Sequence, residues 1–169
     1  MTWGRCCYGR SVRISHRVDY AVRAMTRLAR QGTGKSPAPL SGHDLATTEN
    51  IPETFLDDIL RSLRNAGLLR SQRGPGGGWL LARPAGDITV ADIIRAVEGP
   101  LASVRGIRPH ELAEGSTTDP FIATWIAVRH SLRSVLEAVT VQHLATGKLP
   151  AVVTRAVANP DAWDARDAD

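Results

Sequence analysis

Between Arg73 and Trp79 the chain reads Gly-Pro-Gly-Gly-Gly, four glycines and a proline in five residues. Such a run does not sit inside a helix or a central strand. Glycine loses the most backbone freedom on ordering, and proline lacks the N–H that helices and ladders require. The run is therefore a phosphate cradle, a linker or the tip of a hairpin. The first is set aside by the residues themselves. No Gly-Lys-Ser/Thr ending follows, and Trp79 holds the position of the last glycine in a Gly-x-Gly-x-x-Gly turn. The flanks favour the hairpin: "GLLRSQR" enters the glycines and "GWLLARP" leaves them, short apolar segments on either side of a turn cluster.

Three helical patterns precede this hairpin. Val18, Val22, Met25 and Leu28 fall on one helical face that Gly32 closes. Ser41 is an N-cap with Asp44 at N3, and Leu40 and Leu45 stand where a hydrophobic staple would form. Pro52 starts the third helix, whose buried face is Phe55, Leu56, Ile59, Leu60 and Leu63, and Gly67 ends it. "TTEN" joins the second helix to the third. After the hairpin, Thr89 and Asp92 cap a helix with Val90, Ile93, Ile94 and Val97 on its face, stopped by Gly99-Pro100.

Three helices followed by a hairpin is the order of a winged helix-turn-helix. Its third helix, residues 52–66, is the recognition helix laid in the major groove. Its outward positions are Thr54, Asp57, Asp58, Arg61, Arg64 and Asn65. Arg61 and Arg64 suit phosphate or guanine, and an aspartate contributes only where it reaches a cytosine amino group. The two aspartates are equally well read as solvated. The hairpin, residues 70–81, is the wing. Arg70, Arg73 and the backbone N–H groups of Gly74, Gly76 and Gly77 face DNA at the minor groove, whose width an arginine can read. Trp79 packs beneath the wing.

Charge distribution agrees with a polyanionic partner. Up to Ala85 the chain has 13 Lys+Arg against 6 Asp+Glu; from Gly86 on it has 8 against 11. Uneven surface solvation would give the same split. The only cysteines, Cys6 and Cys7, are adjacent, which neither staples a fold nor makes a zinc spacing. No apolar run approaches a membrane span and no secretory signal is evident, so the expected location is cytoplasmic. No Ser/His/Asp, Cys/His or paired-carboxylate arrangement stands out, and no enzyme is expected.

Asp119-Pro120 opens the longest helix. Phe121, Trp125, Val128, Leu132, Val135 and Val139 are spaced as a 3.5-residue repeat, the seam of a coiled coil. Ile122, Ile126 and Leu136 add a second apolar stripe, and Thr140 is a point at which the helix can break into a last short turn before Gly147. Two stripes let one helix pack on its own domain and on a partner; burial within one chain would also cover them. A homodimer is the expectation. The chain then divides into a lead (1–11, disordered or an over-extended start), a DNA-binding domain (12–86), a linker helix, loop and dimerisation helix (87–149) and a flexible acidic tail (150–169).

"VRISHRVDYAVRAM", "IPETFLDDILRSLRNAGLLRSQRGPGGGWLLARP" and "ITVADIIRAVEGPL", in that order, resemble the Rrf2 family of bacterial transcription regulators over roughly Val12 to Leu149. The resemblance implies a mainly α homodimer, with winged heads on a long crossing dimerisation helix. It also implies a palindromic operator in double-stranded DNA, usually repressed. By that likeness Thr54, Phe55, Asp58, Arg61 and Arg73 face DNA. The family commonly has tyrosine where this chain has Phe55, which removes a hydroxyl contact to phosphate.

One departure bears on the signal. Many members hold an iron–sulfur cluster on three cysteines in the loop after "EGPL". Here the loop from Leu101 to Asp119 has no cysteine, and such a cluster needs soft thiolates. No cofactor is therefore expected. His110, Glu111, Glu114 and Asp119, with His16 and Asp19 one helical turn apart, are the remaining nitrogen and oxygen donors, read by default as solvated polar residues. Relatives without a cluster include regulators of sulfur metabolism, some responding to a metabolite and some to a partner enzyme. A small-molecule or protein effector is thus the expected signal. The rival reading is a winged-helix module that docks a protein and has lost DNA binding, motivated by Asp57 and Asp58.

Overall fold

A computed structural model of the chain describes residues 14–32, 38–101 and 119–164. Helix α1 (His16–Gln31) is the central element. Ser15 caps it by accepting from the Val18 N–H, and Ala21, Ala24 and Met25 are wholly buried. Those two alanines keep the helix surface shallow enough for neighbours to pack closely around it. α2 (Gly42–Glu49) starts on Ser41, whose Oγ accepts from the Asp44 N–H at 3.0 Å. It ends on Asn50 in the left-handed region, φ 52° and ψ 53°, a conformation asparagine tolerates better than most side chains. α3 (Glu53–Asn65) follows directly. The turn between α2 and α3 is thus residues 50–52; Thr47, Thr48 and Glu49, expected as connector, are still helical.

β1 (Leu69–Gln72) and β2 (Gly78–Leu81) form the antiparallel hairpin, with Leu69 opposite Leu81 and Gln72 opposite Gly78. Leu40 pairs with Trp79 on the outer edge of β2, exchanging two backbone hydrogen bonds of 3.2 and 2.7 Å. Gly78 makes this approach feasible, because a Cβ there would run into the Leu40 carbonyl. α4 (Val90–Val97) carries the full capping box of Thr89 and Asp92 and buries Ala91 and Ile93. α5 (Pro120–Leu136) begins on Asp119, which accepts from the Phe121 N–H. It is followed by α6 (Val141–Thr146) and α7 (Ala151–Val157).

The core joins Met25, Leu28, Leu45, Leu56, Ile59, Leu60, Leu63, Leu68 and Ile93. It extends past residue 86, since α4 and α6 both pack against α1 and Val141 of α6 is inaccessible. Phe55, expected on the buried face of α3, instead stands 61% exposed. At the third position of α3 it is one residue ahead of Leu56, which takes the inward place.

Two expectations for the C-terminal third need correction. Val139 does not continue the α5 seam. The helix stops at Leu136, and Val139 is buried within its own chain, its carbonyl accepting from the Val90 N–H at 2.9 Å. The cause is Thr140, whose extended backbone and hydroxyl start α6 in a capping box with His143. Residues 150–169 are also not simply a frayed tail. Pro150 leads into α7, a 3-10 turn spans Pro160–Ala162, and the Trp163 indole donates to the Val157 carbonyl at 2.8 Å. The lead at 1–11, most of the loop after Leu101 and residues 165–169 lie outside the described residues. Among the described residues no helix is long and apolar enough to cross a membrane.

Candidate nucleic-acid interface

α3 is held by its inner face and presents its outer one. Leu56, Ile59, Leu60 and Leu63 are buried, while Thr54, Phe55, Asp57, Asp58, Arg61, Arg64 and Asn65 are exposed. Arg17 of α1 steadies it from behind, donating to the Ser62 hydroxyl at 2.9 Å. Around Gly42, Asp57 of α3 and the Trp79 indole of β2 come together: a Cβ at that glycine would lie 3.8 and 3.9 Å from them. The first turn of α2, the outer side of α3 and the tip-side half of β2 therefore meet at one place.

At the tip, Gly74 and Gly76 have φ of 103° and 73°, and the Gly77 N–H donates to the Gly74 carbonyl at 2.9 Å. That bond closes a four-residue turn with Pro75 and Gly76 at its centre; proline suits the first central place and the positive φ of Gly76 suits the second, which side chains rarely adopt. Open space surrounds Gly74 and Gly76, so their backbone is available to a partner. Arg70 and Arg73 are exposed on the ascending strand and beyond its end. Trp79 is half-buried against the core beneath the hairpin.

The charges differ in readiness. Arg61 is paired with Asp58 at 3.0 Å, an exposed contact that a phosphate or base edge can exchange with little loss. The guanidinium groups of Arg64, Arg70 and Arg73 make no ion pair among the described residues. Asp58 is thus balanced by its neighbour, while the arginine charge of the wing is uncompensated among the described residues.

His16 stacks near Tyr20 at 6.1 Å, Asp19 pairs with Arg23 at 3.4 Å, and His110 lies outside the described residues. Among the described residues no group of three or more His, Cys, Asp or Glu could hold a metal. Of the other histidines, His43 meets Glu53 at 2.7 Å and His143 accepts from the Thr140 N–H at 3.1 Å.

This geometry agrees with what the chain is similar to. A sequence profile of the Rrf2 family, described as iron-dependent transcriptional regulator, matches residues 14–147. The chain belongs to the Rrf2 family of transcriptional regulators. A Mycobacterium tuberculosis protein named as an HTH-type transcriptional regulator is 45% identical over 139 residues, which cover 82% of this chain and 84% of that one. The solved structure of CymR, described as the global cysteine regulator of Bacillus subtilis, superposes with a TM-score of 0.62 at 32% identity. It covers 82% of this chain and 99% of that one. The structure of T. potens IscR gives 0.62 at 30% identity, covering 93% and 95%. The fold is the winged helix-turn-helix of these Rrf2 regulators, which are not enzymes.

Iron enters through the family description, and the donor set here does not fit a thiolate-held cluster. No cysteine occurs after Cys7, and thiolates are the ligands such a cluster requires.

Sequence reasoning missed Arg95, Arg129 and Arg133, which line one cavity between α4 and α5. The signal was present as helical spacing: Arg129, Arg133 and Glu137 recur every fourth residue on one face.

Proposed function

We infer that this Rrf2 protein is a dimeric repressor of the cytoplasm that binds a palindromic operator in double-stranded DNA. The observation that carries the reading is the exposed surface of α3 and the hairpin, where Arg64, Arg70 and Arg73 have no anionic partner among the described residues. α3 enters the major groove, with Thr54, Phe55, Asp58, Arg61 and Arg64 on its outer side. The wing lies at the minor groove through Arg70, Arg73 and the backbone of Gly74, Gly76 and Gly77. Association through α5 is supported by its lack of any buried residue, with Phe121 58% and Trp125 40% exposed. Phe121, Trp125, Val128, Leu132 and Val135 form that contact. Two heads held this way reach successive turns of the duplex, which makes the operator a palindrome.

The signal is carried without a thiolate-ligated cluster. CymR being a cysteine regulator supports a sulfur-metabolism signal for this chain as well. The test is a mobility-shift titration against the region upstream of the protein's own gene, repeated at rising salt. A shift whose log affinity falls linearly with log salt is expected from arginine–phosphate contacts. No shift, alongside capture of a protein partner on the α3 face, would overturn DNA binding.

A further inference from the structure

A cavity of about 400 Å³ opens where the end of α4 meets the middle of α5. Its described lining is Arg95, Gly99, Pro100, Leu101, Arg129 and Arg133: three arginines, no carboxylate, and an apolar edge from Pro100 and Leu101. Glu137 lies behind two of the arginines. It accepts from Arg95 at 2.5 Å and from Arg133 at 2.9 and 3.2 Å, and Arg95 also reaches Asp92 at 3.5 Å. Arg129 has no hydrogen bond or ion pair among the described residues.

The two arginines held by Glu137 are fixed in position, while the third is left unmatched beside them. Three guanidinium groups around one hollow repel one another, and an anion between them relieves that repulsion. Their planar forks suit the oxygens of a carboxylate or phosphate. The volume falls within the range of small-molecule sites and exceeds what a bare inorganic ion fills. We propose that this cavity is the effector site, taking a small organic anion. Its carboxylate or phosphate head meets Arg95, Arg129 and Arg133, and its carbon skeleton lies on Pro100 and Leu101.

The position supplies a route to DNA. Arg95 belongs to α4, which is anchored in the head by Ile93, whereas Arg129 and Arg133 belong to α5. An anion bridging the two helices favours one angle between them, and so one spacing of the heads, by as much as it binds that arrangement better. This consequence rests on the DNA-binding reading; the site itself does not.

The experiment is calorimetry on the full chain at fixed ionic strength, with inorganic phosphate, succinate and 3-phosphoglycerate as probes. Operator affinity without ligand is measured separately. Saturable binding of succinate or 3-phosphoglycerate is expected at roughly millimolar Kd or tighter. Arg129→Ala weakens it about tenfold or more, and Arg129→Lys restores part of the loss. Arg155→Ala, on the exposed face of α7, leaves it unchanged. Three results overturn the site: no saturable binding of any probe, binding that Arg129→Ala leaves intact, or binding of inorganic phosphate alone. A protein that binds an organic anion through Arg129 but no operator keeps the site and loses the functional reading. One that binds operator but no anion does the reverse.

Discussion

In the head, α1, α3 and α4 each turn an apolar face inward, and Met25, Ile59 and Ile93 are inaccessible to solvent. α5 is as long as α1 and carries a comparable set of apolar side chains, yet none of its residues is buried. The difference lies in the pattern. On α3 the polar residues are segregated to one side, so a single stripe suffices to fold it against neighbours. On α5 apolar residues occupy two stripes, one edged toward α4 and α7 and the other open. A helix of that kind is incompletely covered within one chain. The head satisfies its own hydrophobic demand; α5 leaves part of its apolar surface exposed, the face proposed above to meet a second copy.

The sharpest way to break this contrast is to remove the same kind of atoms from each region. Leu60→Ala removes a fully buried side chain from the centre of the head. It should cost about 2–5 kcal/mol of folding stability, the usual range for a large-to-small change that leaves a cavity. Urea unfolding at fixed protein concentration measures it. Trp125→Ala on α5 should leave the far-UV spectrum of the head intact and weaken self-association instead. A loss of about 2 kcal/mol or more is the scale of a central aromatic anchor, read as a shift toward monomer in sedimentation. Should Trp125→Ala unfold the chain without a concentration dependence, α5 would be a core helix and the contrast would fail.

How far the sequence reached differs between the same two regions, for physical reasons. In the head, information is local. Ser41, Asn50, Pro52, Thr89 with Asp92, and the glycines of the hairpin each set a boundary through their own backbone or side chain. The starts of their helices were readable almost to the residue, whereas the end of α2 was not: Thr47, Thr48 and Glu49 read as connector because the left-handed Asn50 cap leaves no apolar spacing to follow. The Leu40–Trp79 bridge was not readable either, because a one-residue pairing has no periodicity. Beyond Leu136 the coiled-coil spacing carried on through Val139 although the helix did not. A seven-residue pattern is blind to Thr140, the expected break before the last short turn; its cap with His143 starts that turn, and α5 ends early enough to leave Val139 out of the seam. α7 escaped because seven residues are too few for a helical period to stand out from an acidic tail. Of the candidate interface, the exposed positions of α3 other than Phe55, and the tip, were legible from the helix period and turn chemistry. The arginine cavity was not, because it joins α4 to α5 across an unread loop.

Within the head, a surface change should separate folding from function. Arg73→Ala removes an exposed guanidinium that pairs with nothing among the described residues, so urea stability should stay within about 0.5 kcal/mol of the parent. Operator affinity should fall by about 1–3 kcal/mol, if the side chain reads the groove. A change in affinity that shrinks to nothing at high salt, with an unaltered footprint, would assign it to phosphate contact alone. A footprint and affinity both untouched would remove the wing from the interface.

The smallest effect tests the join between the two regions. Glu137, at the end of α5, accepts from Arg133 of its own helix and from Arg95 of α4, and these bonds hold its carboxyl at about 2, well below the ordinary 4.5. A carboxylate with a lowered folded-state pKa stabilises the fold fully above its unfolded value, and the contribution disappears as pH falls through the folded value. The stability difference between the parent and Glu137→Gln should therefore be constant above about pH 5 and shrink as acid approaches about pH 2. The pair is a third exposed, so the difference should be modest and reduced by salt. A carboxyl carbon titration followed by NMR measures the same quantity directly. If Glu137 titrates near 4.5, the strut from α4 to α5 is not formed in solution. Among the described residues the α4 side would then be joined to the end of α5 through the Val90–Val139 and Val141–Ile88 backbone hydrogen bonds, and an anion in the arginine cavity would have to supply the connection between α4 and α5 that Glu137 otherwise provides.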